Sequence, residues 1–146
     1  MRAWVEIDIN NLIFNIDKIQ NLVGNKEIIA VVKANCYGLG AVKLTKKLIS
    51  HGIKIFAVAT LEEALELRKA GIEEDILILG ILLKEEIKIA NQNNIMITLG
   101  NNEQLEYIKK NNLDVGFHVK IDTGMGRLGF TIEEGQKIIE EFLPLV

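Results

Sequence analysis

Apolar positions along the chain fall into short runs, separated by longer stretches in which apolar residues recur at helical spacing. The runs predict strands at 28–32, 53–58, 76–79, 95–99 and 115–121, and the stretches predict helices at 42–50, 61–70, 84–91, 103–110 and 132–142. Strands that return about every 20 to 25 residues, each followed by a helix, are typical of βα units in a parallel sheet. The pattern therefore predicts an α/β domain of about five βα units.

Capping residues support the predicted helix ends. Thr60 with Glu63, and Thr131 with Glu134, have the spacing of a capping box, in which each side chain accepts the backbone N–H of the other residue. Gly71 follows a predicted helix at the position where a left-handed residue commonly ends one. Local sequence and hydrophobic pattern thus agree on where these helices start and stop.

A different pattern precedes these units. Residues 4–9, WVEIDI, alternate apolar with polar side chains, which predicts an edge strand that needs a partner elsewhere. A helix is predicted at 11–22, and one apolar face of it is expected to cover the sheet. That face carries Leu12, Ile16, Ile19 and Val23. We therefore divide the chain into an N-terminal strand and helix at 1–24 and a βα domain at 25–146.

Composition narrows the class of protein. Of the 146 residues, 49% are hydrophobic and 25% are charged, as in a soluble globular domain. The net charge of -3, without a block of basic residues, argues against nucleic acid or an anionic membrane as a partner. The single cysteine, Cys36, excludes an internal disulfide or a cysteine metal cluster and fits a reducing cytoplasm. No apolar run approaches the ~18 residues of a membrane span, so we expect a cytoplasmic protein without a membrane anchor.

Five βα units are compatible with two architectures. One is an open doubly wound sheet, and the other is the first part of a (β/α)₈ barrel. A doubly wound sheet that binds a nucleotide needs a glycine-rich turn after its first strand. Gly38 and Gly40 begin such a turn, but Lys43 occupies the position of the third glycine in the GxGxxG motif. The evidence for a dinucleotide site is therefore weak, and periodicity alone leaves both architectures open.

Polar residues occupy one face of the fifth predicted strand. Alternation places His118, Lys120 and Asp122 on the same face as Gly116, whereas the other face is apolar. Burying a lysine and a histidine is costly unless they are paired or functional. The loop DTGMGRLGF follows at 122–130, and loops at the carboxyl ends of parallel strands are where α/β proteins bind ligands. The sequence therefore predicts a ligand site at this end of the sheet.

A second candidate lies at the end of the first predicted strand, where AVVKANCYGLG at 30–40 places Lys33 at the same rim. Partial desolvation there would favour the neutral amine that Schiff-base formation needs. Tyr37 could donate to a phosphate, and Arg127 in the loop offers a planar fork for a carboxylate or phenolate oxygen. Strand-end lysines are also commonly just solvated, and His118 is more often a hydrogen-bonded interior histidine than a catalyst, so these interpretations stay open.

Three motifs together closely resemble the alanine racemases, the fold-type III enzymes that use pyridoxal 5′-phosphate (PLP). They are AVVKANCYGLG at 30–40, FAVATLEEALELRKAGI at 56–72 and KIDTGMGRLGF at 120–130, and the opening WVEIDINNL is similar as well. The resemblance covers essentially all 146 residues. It implies the N-terminal portion of a PLP-binding (β/α)₈ TIM barrel, preceded by an extra strand and helix. Cys36 and Leu39 replace a commoner alanine and histidine, and neither change removes a required chemical group.

The resemblance also implies roles for five residues. Lys33 matches the lysine that holds PLP as a Schiff base and moves the substrate α-proton on one face. Tyr37 matches a tyrosine that contacts the cofactor phosphate, and Arg127 matches an arginine that reaches the PLP phenolic oxygen and the substrate carboxylate. Lys120 matches a lysine that is often carbamylated and then holds this arginine in place. Met125 lies where the family brings a backbone amide across the dimer interface to the substrate carboxylate.

The implied function is a PLP-dependent racemase that interconverts L- and D-alanine for cell-wall synthesis and works as a homodimer. Three alternatives stay open: a racemase of serine or another small amino acid, a non-catalytic PLP-binding protein, and an interaction module with a merely solvated Lys33. The family enzyme continues into further barrel strands and a β-rich C-terminal domain, which residues 25–146 lack. We therefore expect the 146-residue chain to be an inactive fragment that self-associates through unpaired sheet edges.

Overall fold

The computed structural model describes residues 3–142, in which five parallel strands alternate with helices. The strands are β1 Ile29–Val31, β2 Ile55–Val58, β3 Asp75–Ile78, β4 Met96–Leu99 and β5 Phe117–Val119. The helices are α1 Ile9–Val23, α2 Lys33–Tyr37, α3 Ala41–Ile49, α4 Leu61–Lys69, α5 Lys84–Gln92, α6 Asn102–Lys110 and α7 Ile132–Phe142. The predicted βα units are confirmed, whereas the hydrophobic pattern does not predict α2. Residues 1–2 and 143–146, at the outer ends of the two predicted domains, lie outside the described residues.

The order of the strands decides between the two architectures. The strands lie in chain order, β1-β2-β3-β4-β5, and every neighbouring pair is parallel. The register continues from one strand to the next in β1, β2 and β3: Ala57 of β2 pairs with Val31 of β1 on one side and with Leu77 of β3 on the other. A doubly wound sheet reverses its strand order at a switch point, whereas a (β/α)₈ barrel adds each strand on the same side. The sheet is therefore the N-terminal part of a barrel.

The helices cover one face of this sheet and leave the other face open. Strand residues of the covered face pack with the helices into one apolar core. They include Phe56, Val58, Ile76, Ile78, Ile97 and Leu99, which are at most 1% exposed. On the open face, Ile29, Val31 and Leu79 are 39%, 40% and 36% exposed, whereas Ala57, Leu77 and Thr98 on the same face are at most 5% exposed. Within the described residues, β1 and β5 are the two edges of the sheet.

The predicted N-terminal strand at 4–9 is wrong. Residues 3–8 form no strand, and Trp4 is 74% exposed. Helix α1 instead begins at Ile9, because the carboxylate of Asp8 accepts two of the first backbone N–H groups of the helix and caps it. An alternating segment becomes a strand only when another strand completes its ladder, and residues 3–142 place none beside it.

Helix α1 packs through only part of its predicted apolar face. Leu12 and Ile16 are half-buried against the core, as predicted. Ile19 and Val23 are 48% and 39% exposed, so the prediction that they cover the sheet is wrong. The apolar contact of α1 is therefore confined to its first half. Neither α1 nor any other helix in residues 3–142 is long and apolar enough to cross a membrane.

One arginine joins α4 to two loops at the amino ends of the strands. The guanidinium of Arg68 donates to the backbone carbonyls of Ile72 and Glu74, at 2.8 and 2.7 Å, and of Asn93 and Asn94, at 3.0 and 2.7 Å. Partial burial lowers the pKa of this guanidinium, and nearby carboxylates oppose that shift. These bonds fasten the chain where it enters β3 and β4.

Candidate functional site at the carboxyl rim

Lys33 is the second residue after β1, at the carboxyl rim of the sheet, as predicted. The β1 ladder continues one residue past the strand, since the Val32 N–H donates to the Ala57 carbonyl at 2.8 Å. Lys33 then opens α2 and is half-buried. A hydrogen-bonded strand therefore fixes the base from which this lysine projects.

The turn that follows Lys33 is left-handed. Ala34, Asn35, Cys36 and Tyr37 have φ angles of 51°, 52°, 52° and 56°. A left-handed conformation costs a non-glycine residue ~1 kcal/mol or more, so such a turn persists only where its surroundings hold it. The sequence gives little local signal for this turn, because none of the four residues is glycine and only Asn35 is of a type that adopts this conformation readily. We call residues Lys33–Tyr37 the lysine turn.

Nearby hydrogen bonds fix the second half of the lysine turn. The Asn35 side chain accepts the Ala41 N–H at 2.8 Å, and the Asn35 carbonyl accepts the Gly40 N–H at 2.9 Å. The Cys36 N–H donates to the Val32 carbonyl at 2.8 Å.

Burial raises the pKa of the Cys36 thiol, so the thiol stays protonated at neutral pH and is a poor nucleophile.

Glu63 holds the first half of the lysine turn from α4. One carboxylate oxygen of Glu63 accepts the Ala34 N–H at 2.7 Å, and the other accepts the Ala59 N–H at 2.7 Å. The Thr60 hydroxyl accepts the Glu63 N–H at 3.4 Å, which confirms one half of the predicted capping box. The other half is wrong, because the Glu63 carboxylate accepts the N–H groups of Ala34 and Ala59 and not that of Thr60. The contact to Ala34 is absent from the sequence-based predictions, and its one signal is the position of Glu63 within the racemase-like segment 56–72.

The predicted glycine-rich loop follows β5, and hydrogen bonds join its two ends. The Lys120 N–H continues the ladder by donating to the Leu99 carbonyl at 2.8 Å. The Asp122 N–H donates to the Phe130 carbonyl, and the Phe130 N–H donates to the Lys120 carbonyl, both at 2.8 Å. A side chain at Gly129, where φ is 117°, would come within 2.8 Å of the Asp122 nitrogen. The base of this loop therefore requires glycine there, and we call residues 121–129 the glycine loop.

Asp122 shapes the start of the glycine loop. Its carboxylate accepts the N–H groups of Gly124 and Met125 at 3.0 and 2.9 Å. These backbone bonds, that of Gly124 above all, lower the pKa of Asp122, and the charge of Lys120 acts in the same direction. The Met125 N–H is thus already paired within the loop, while Met125 as a whole is 76% exposed.

We predict that Asp122, at the start of the glycine loop, titrates at a lower pH than an ordinary aspartate. Folding lowers the pKa of Asp122. The contribution of Asp122 to stability is therefore fully present above the ordinary aspartate pKa, and it is lost as the pH falls through the lowered pKa. In an NMR acid titration, the amide resonances of Gly124 and Met125 should therefore shift together below the ordinary aspartate pKa. D122N should abolish this transition, whereas D114N, at an exposed aspartate, should retain it. A transition that survives in D122N would show that another group titrates.

The lysine turn and the glycine loop lie at the same rim but on opposite edges of the sheet. Lys33 follows β1 and Lys120 follows β5, with three strands between them. Lys120 is exposed, and its Nζ donates to the Ile121 carbonyl at 2.7 Å. Arg127 and Tyr37 are exposed, and Arg127 forms no ion pair within residues 3–142. The predicted site residues therefore share one rim, and no hydrogen bond of the described residues joins the two segments.

His118 lies on the open face of the sheet, beside Thr98 of β4. It is exposed, so the interpretation of His118 as a buried, hydrogen-bonded interior histidine is wrong. The polar face of β5 is predicted correctly, and it is open because the sheet within residues 3–142 has helices on its other side only.

The strand order and the single covered face define a partial (β/α)₈-barrel domain. The lysine and the glycine-rich loop at its carboxyl rim define a candidate ligand site. Comparisons with known proteins make the class specific. The family described as "Alanine racemase, N-terminal domain" matches residues 7–144. An alanine racemase of Fusobacterium nucleatum is 44% identical over 140 residues, which cover 96% of this chain and 40% of that relative.

Solved structures agree with the sequence comparison. The alanine racemase of Clostridium difficile 630 has a TM-score of 0.87 at 38% identity, covering 97% of this chain and 39% of that one. A histidine racemase from Leuconostoc mesenteroides has a TM-score of 0.80 at 27% identity, covering 92% of this chain and 37% of that one. The chain belongs to the alanine racemase N-terminal domain family. It spans 40% and 38% of the length of the first two curated relatives that it matches.

Proposed function

We propose that this chain supplies the Lys33 side of the cofactor site in a PLP-dependent alanine racemase, which interconverts L- and D-alanine. The observation that carries the proposal is the placement of Lys33 at the carboxyl rim, in a turn that Glu63 and Asn35 hold. Family membership supports the reaction, because a relative named alanine racemase matches 96% of the chain. The proposal includes a cytoplasmic homodimer that provides D-alanine for cell-wall synthesis.

The chemistry of the rim residues fits PLP. The cofactor offers an aldehyde carbon, a phenolic oxygen and a phosphate, and the rim offers an amine, a hydroxyl and a guanidinium. Lys33 would hold the aldehyde carbon, Tyr37 would donate to the phosphate, and Arg127 would donate to the phenolic oxygen. Tyr37 and Arg127 are exposed, so a ligand would replace water at both residues.

The residues of the chain would bind and orient the substrate and would move a proton. Bound PLP supplies an electron sink that acidifies the α-carbon of the substrate. Lys33, once released by the substrate, would take the α-proton onto Nζ on one face and return it. Arg127 would hold the substrate carboxylate with paired N–H donors. The Met125 N–H would add a bond to this carboxylate only after loosening its present bond to Asp122.

Lys120 is the proposed site of a carbamate. A carbamate would turn an exposed cation beside the glycine loop into an anion that can accept two N–H groups of Arg127. The bond from the Lys120 Nζ to the Ile121 carbonyl keeps the end of this side chain beside the loop. Intact-mass spectrometry under mild conditions should show the added mass of carbon dioxide, and a bare amine in the folded full-length enzyme would contradict this part of the proposal.

A second candidate is a racemase of another amino acid, such as serine. The fold of a protein named histidine racemase matches this chain with a TM-score of 0.80, so the fold alone does not select alanine. A PLP-binding protein without catalysis would share Lys33, but it has little need of Arg127 in a glycine loop at the same rim. Alanine stays the leading substrate because relatives of that name reach 44% identity.

Addition of PLP to the purified chain tests the proposal. We expect the visible absorbance band of a lysine-bound cofactor to appear, and alanine to change it more than serine or histidine does. A stronger response to serine or histidine would favour the second candidate, and a band that no amino acid changes would favour a PLP-binding protein. A band that K33A forms as strongly as the wild type, or no band at all, would contradict the proposal. That the 146-residue chain alone does not racemise alanine stays a prediction, which a chiral assay of the same samples checks.

A further inference from the structure

We propose that Glu63 is a positioning residue for Lys33, and that its carboxylate sets the direction in which the lysine amine meets the cofactor aldehyde. This inference deepens the proposed function and rests on it. Glu63 is half-buried on α4 and bonds the Ala34 N–H, 29 residues earlier in the chain and directly after Lys33. Nothing in the helix cap requires that contact.

Glu63 departs from the pattern of the equivalent glutamates in this chain. Glu86 and Glu134 hold the corresponding positions in α5 and α7. Each accepts the N–H of the residue at the start of its own helix, Leu83 at 2.7 Å and Thr131 at 2.9 Å. The carboxylate of Glu63 instead reaches back past its own helix start to the lysine turn. Capping alone therefore explains Glu86 and Glu134, but it does not explain Glu63.

The bond to Ala34 acts on Lys33 through the peptide plane that the two residues share. That plane contains the Lys33 carbonyl and the Ala34 N–H, so fixing the direction of the N–H fixes the ψ angle of Lys33. The other carboxylate oxygen accepts the Ala59 N–H, just beyond β2, and ties the same plane to the neighbouring strand. Both bonds are 2.7 Å long, as expected for a carboxylate acceptor.

The conformation of the lysine turn makes this clamp necessary. Four consecutive non-glycine residues after Lys33 are left-handed, and such a segment relaxes when the bonds that hold it are removed. Asn35 holds the second half of the turn, and Glu63 holds the first. Without Glu63, we expect Lys33 to sample several directions, so its amine is less often aligned with an aldehyde at the rim.

Positioning should appear in the rate at which PLP becomes attached. The Lys33 amine adds to the aldehyde carbon, a C=N bond replaces the C=O bond, and water leaves, so the step needs no oxidant or further reactant. Loss of a hydrogen bond to a charged group corresponds to about a tenfold change in an equilibrium or a rate. We therefore expect attachment to slow by about tenfold when Glu63 no longer orients the lysine.

Three variants separate positioning from helix capping. E63A removes both carboxylate bonds, whereas E63Q keeps one acceptor and turns an N–H donor toward the other backbone N–H. E86A is the matched control, because Glu86 is also half-buried and caps the helix of the next βα unit. Two rates are measured: deuterium exchange of the Ala34 amide by NMR without PLP, and growth, after PLP is added, of the part of the visible absorbance band that K33A does not form.

We expect E63A to exchange the Ala34 amide about tenfold faster and to form the band about tenfold slower, with E63Q between E63A and the wild type. E86A should match the wild type in both rates, even if it unfolds at a lower temperature. Band growth at the wild-type rate in folded E63A and E63Q would overturn the inference and leave the proposed function standing. A wild-type band no stronger than that of K33A would contradict both. If E63A does not fold, the comparison of E63Q with E86A decides.

Discussion

Replacing Lys33 with alanine is expected to leave the chain unable to retain PLP. β1 places the Lys33 amine at the carboxyl rim, and only a covalent link should survive dialysis, because Tyr37 and Arg127 are exposed and would hold PLP weakly. After incubation with PLP and dialysis, the wild-type chain should keep about one PLP per chain, and K33A should keep essentially none. Absorbance of the dialysed protein measures this ratio.

Lys43 provides the matched control for this prediction. It is an exposed lysine on α3, the helix that follows the lysine turn, and K43A should retain PLP like the wild type. Both variants should fold normally, since neither lysine side chain donates a hydrogen bond within residues 3–142. Wild-type retention by K33A would contradict the role of Lys33, and loss of PLP from K43A would indicate unspecific reaction at surface lysines.

A large loss of stability is expected when Arg68 is replaced with alanine. R68A removes hydrogen bonds to four backbone carbonyls that fasten the entries to β3 and β4. A bond of this kind contributes ~1.5–3 kcal/mol, but Arg68 is only half-buried, so water can replace part of the loss. We therefore expect the free energy of unfolding, measured by urea denaturation and circular dichroism, to fall by about 3 kcal/mol.

Two further variants show whether the guanidinium itself is responsible. R68K keeps the charge, but one ammonium cannot reach carbonyls on two loops at once, so we expect about half of the loss. K69A, at the exposed neighbouring position, should change the free energy of unfolding by less than about 0.5 kcal/mol. R68A as stable as the wild type would show that water fully replaces these bonds. PLP retention by folded R68A should be normal, because the rim lies at the other end of the sheet.

Much of the fold can be predicted because its signals are local. Apolar runs mark the five strands, and Thr60 marks the start of α4 within its own sequence neighbourhood. The choice between a barrel and a doubly wound sheet depends instead on which strands pair, and periodicity does not encode pairing. The wrong strand at 4–9 has the same cause, since alternation shows a possible strand without showing whether a partner exists.

In the candidate site, too, some features have a local sequence signal and others depend on distant residues. Lys33 at the end of an apolar run and the glycine-rich segment after β5 are visible in the sequence, and the structure places both at the carboxyl rim. The left-handed lysine turn cannot be predicted from its own residues alone, because one of its hydrogen bonds comes from Glu63, 29 positions after Ala34. The roles of Arg127 and the other rim residues stay predictions, since they concern a ligand and not contacts within the chain.

Identification of the lysine that carries PLP is the most direct test of this account. The wild-type chain is incubated with a limiting amount of PLP, the link is reduced with borohydride so that it survives digestion, and the labelled peptides are identified by mass spectrometry. We predict that Lys33 is labelled first, and in preference to exposed lysines such as Lys43 and Lys54. Label spread over surface lysines, with Lys33 modified no more than the others, would contradict the proposal that this chain anchors PLP through Lys33.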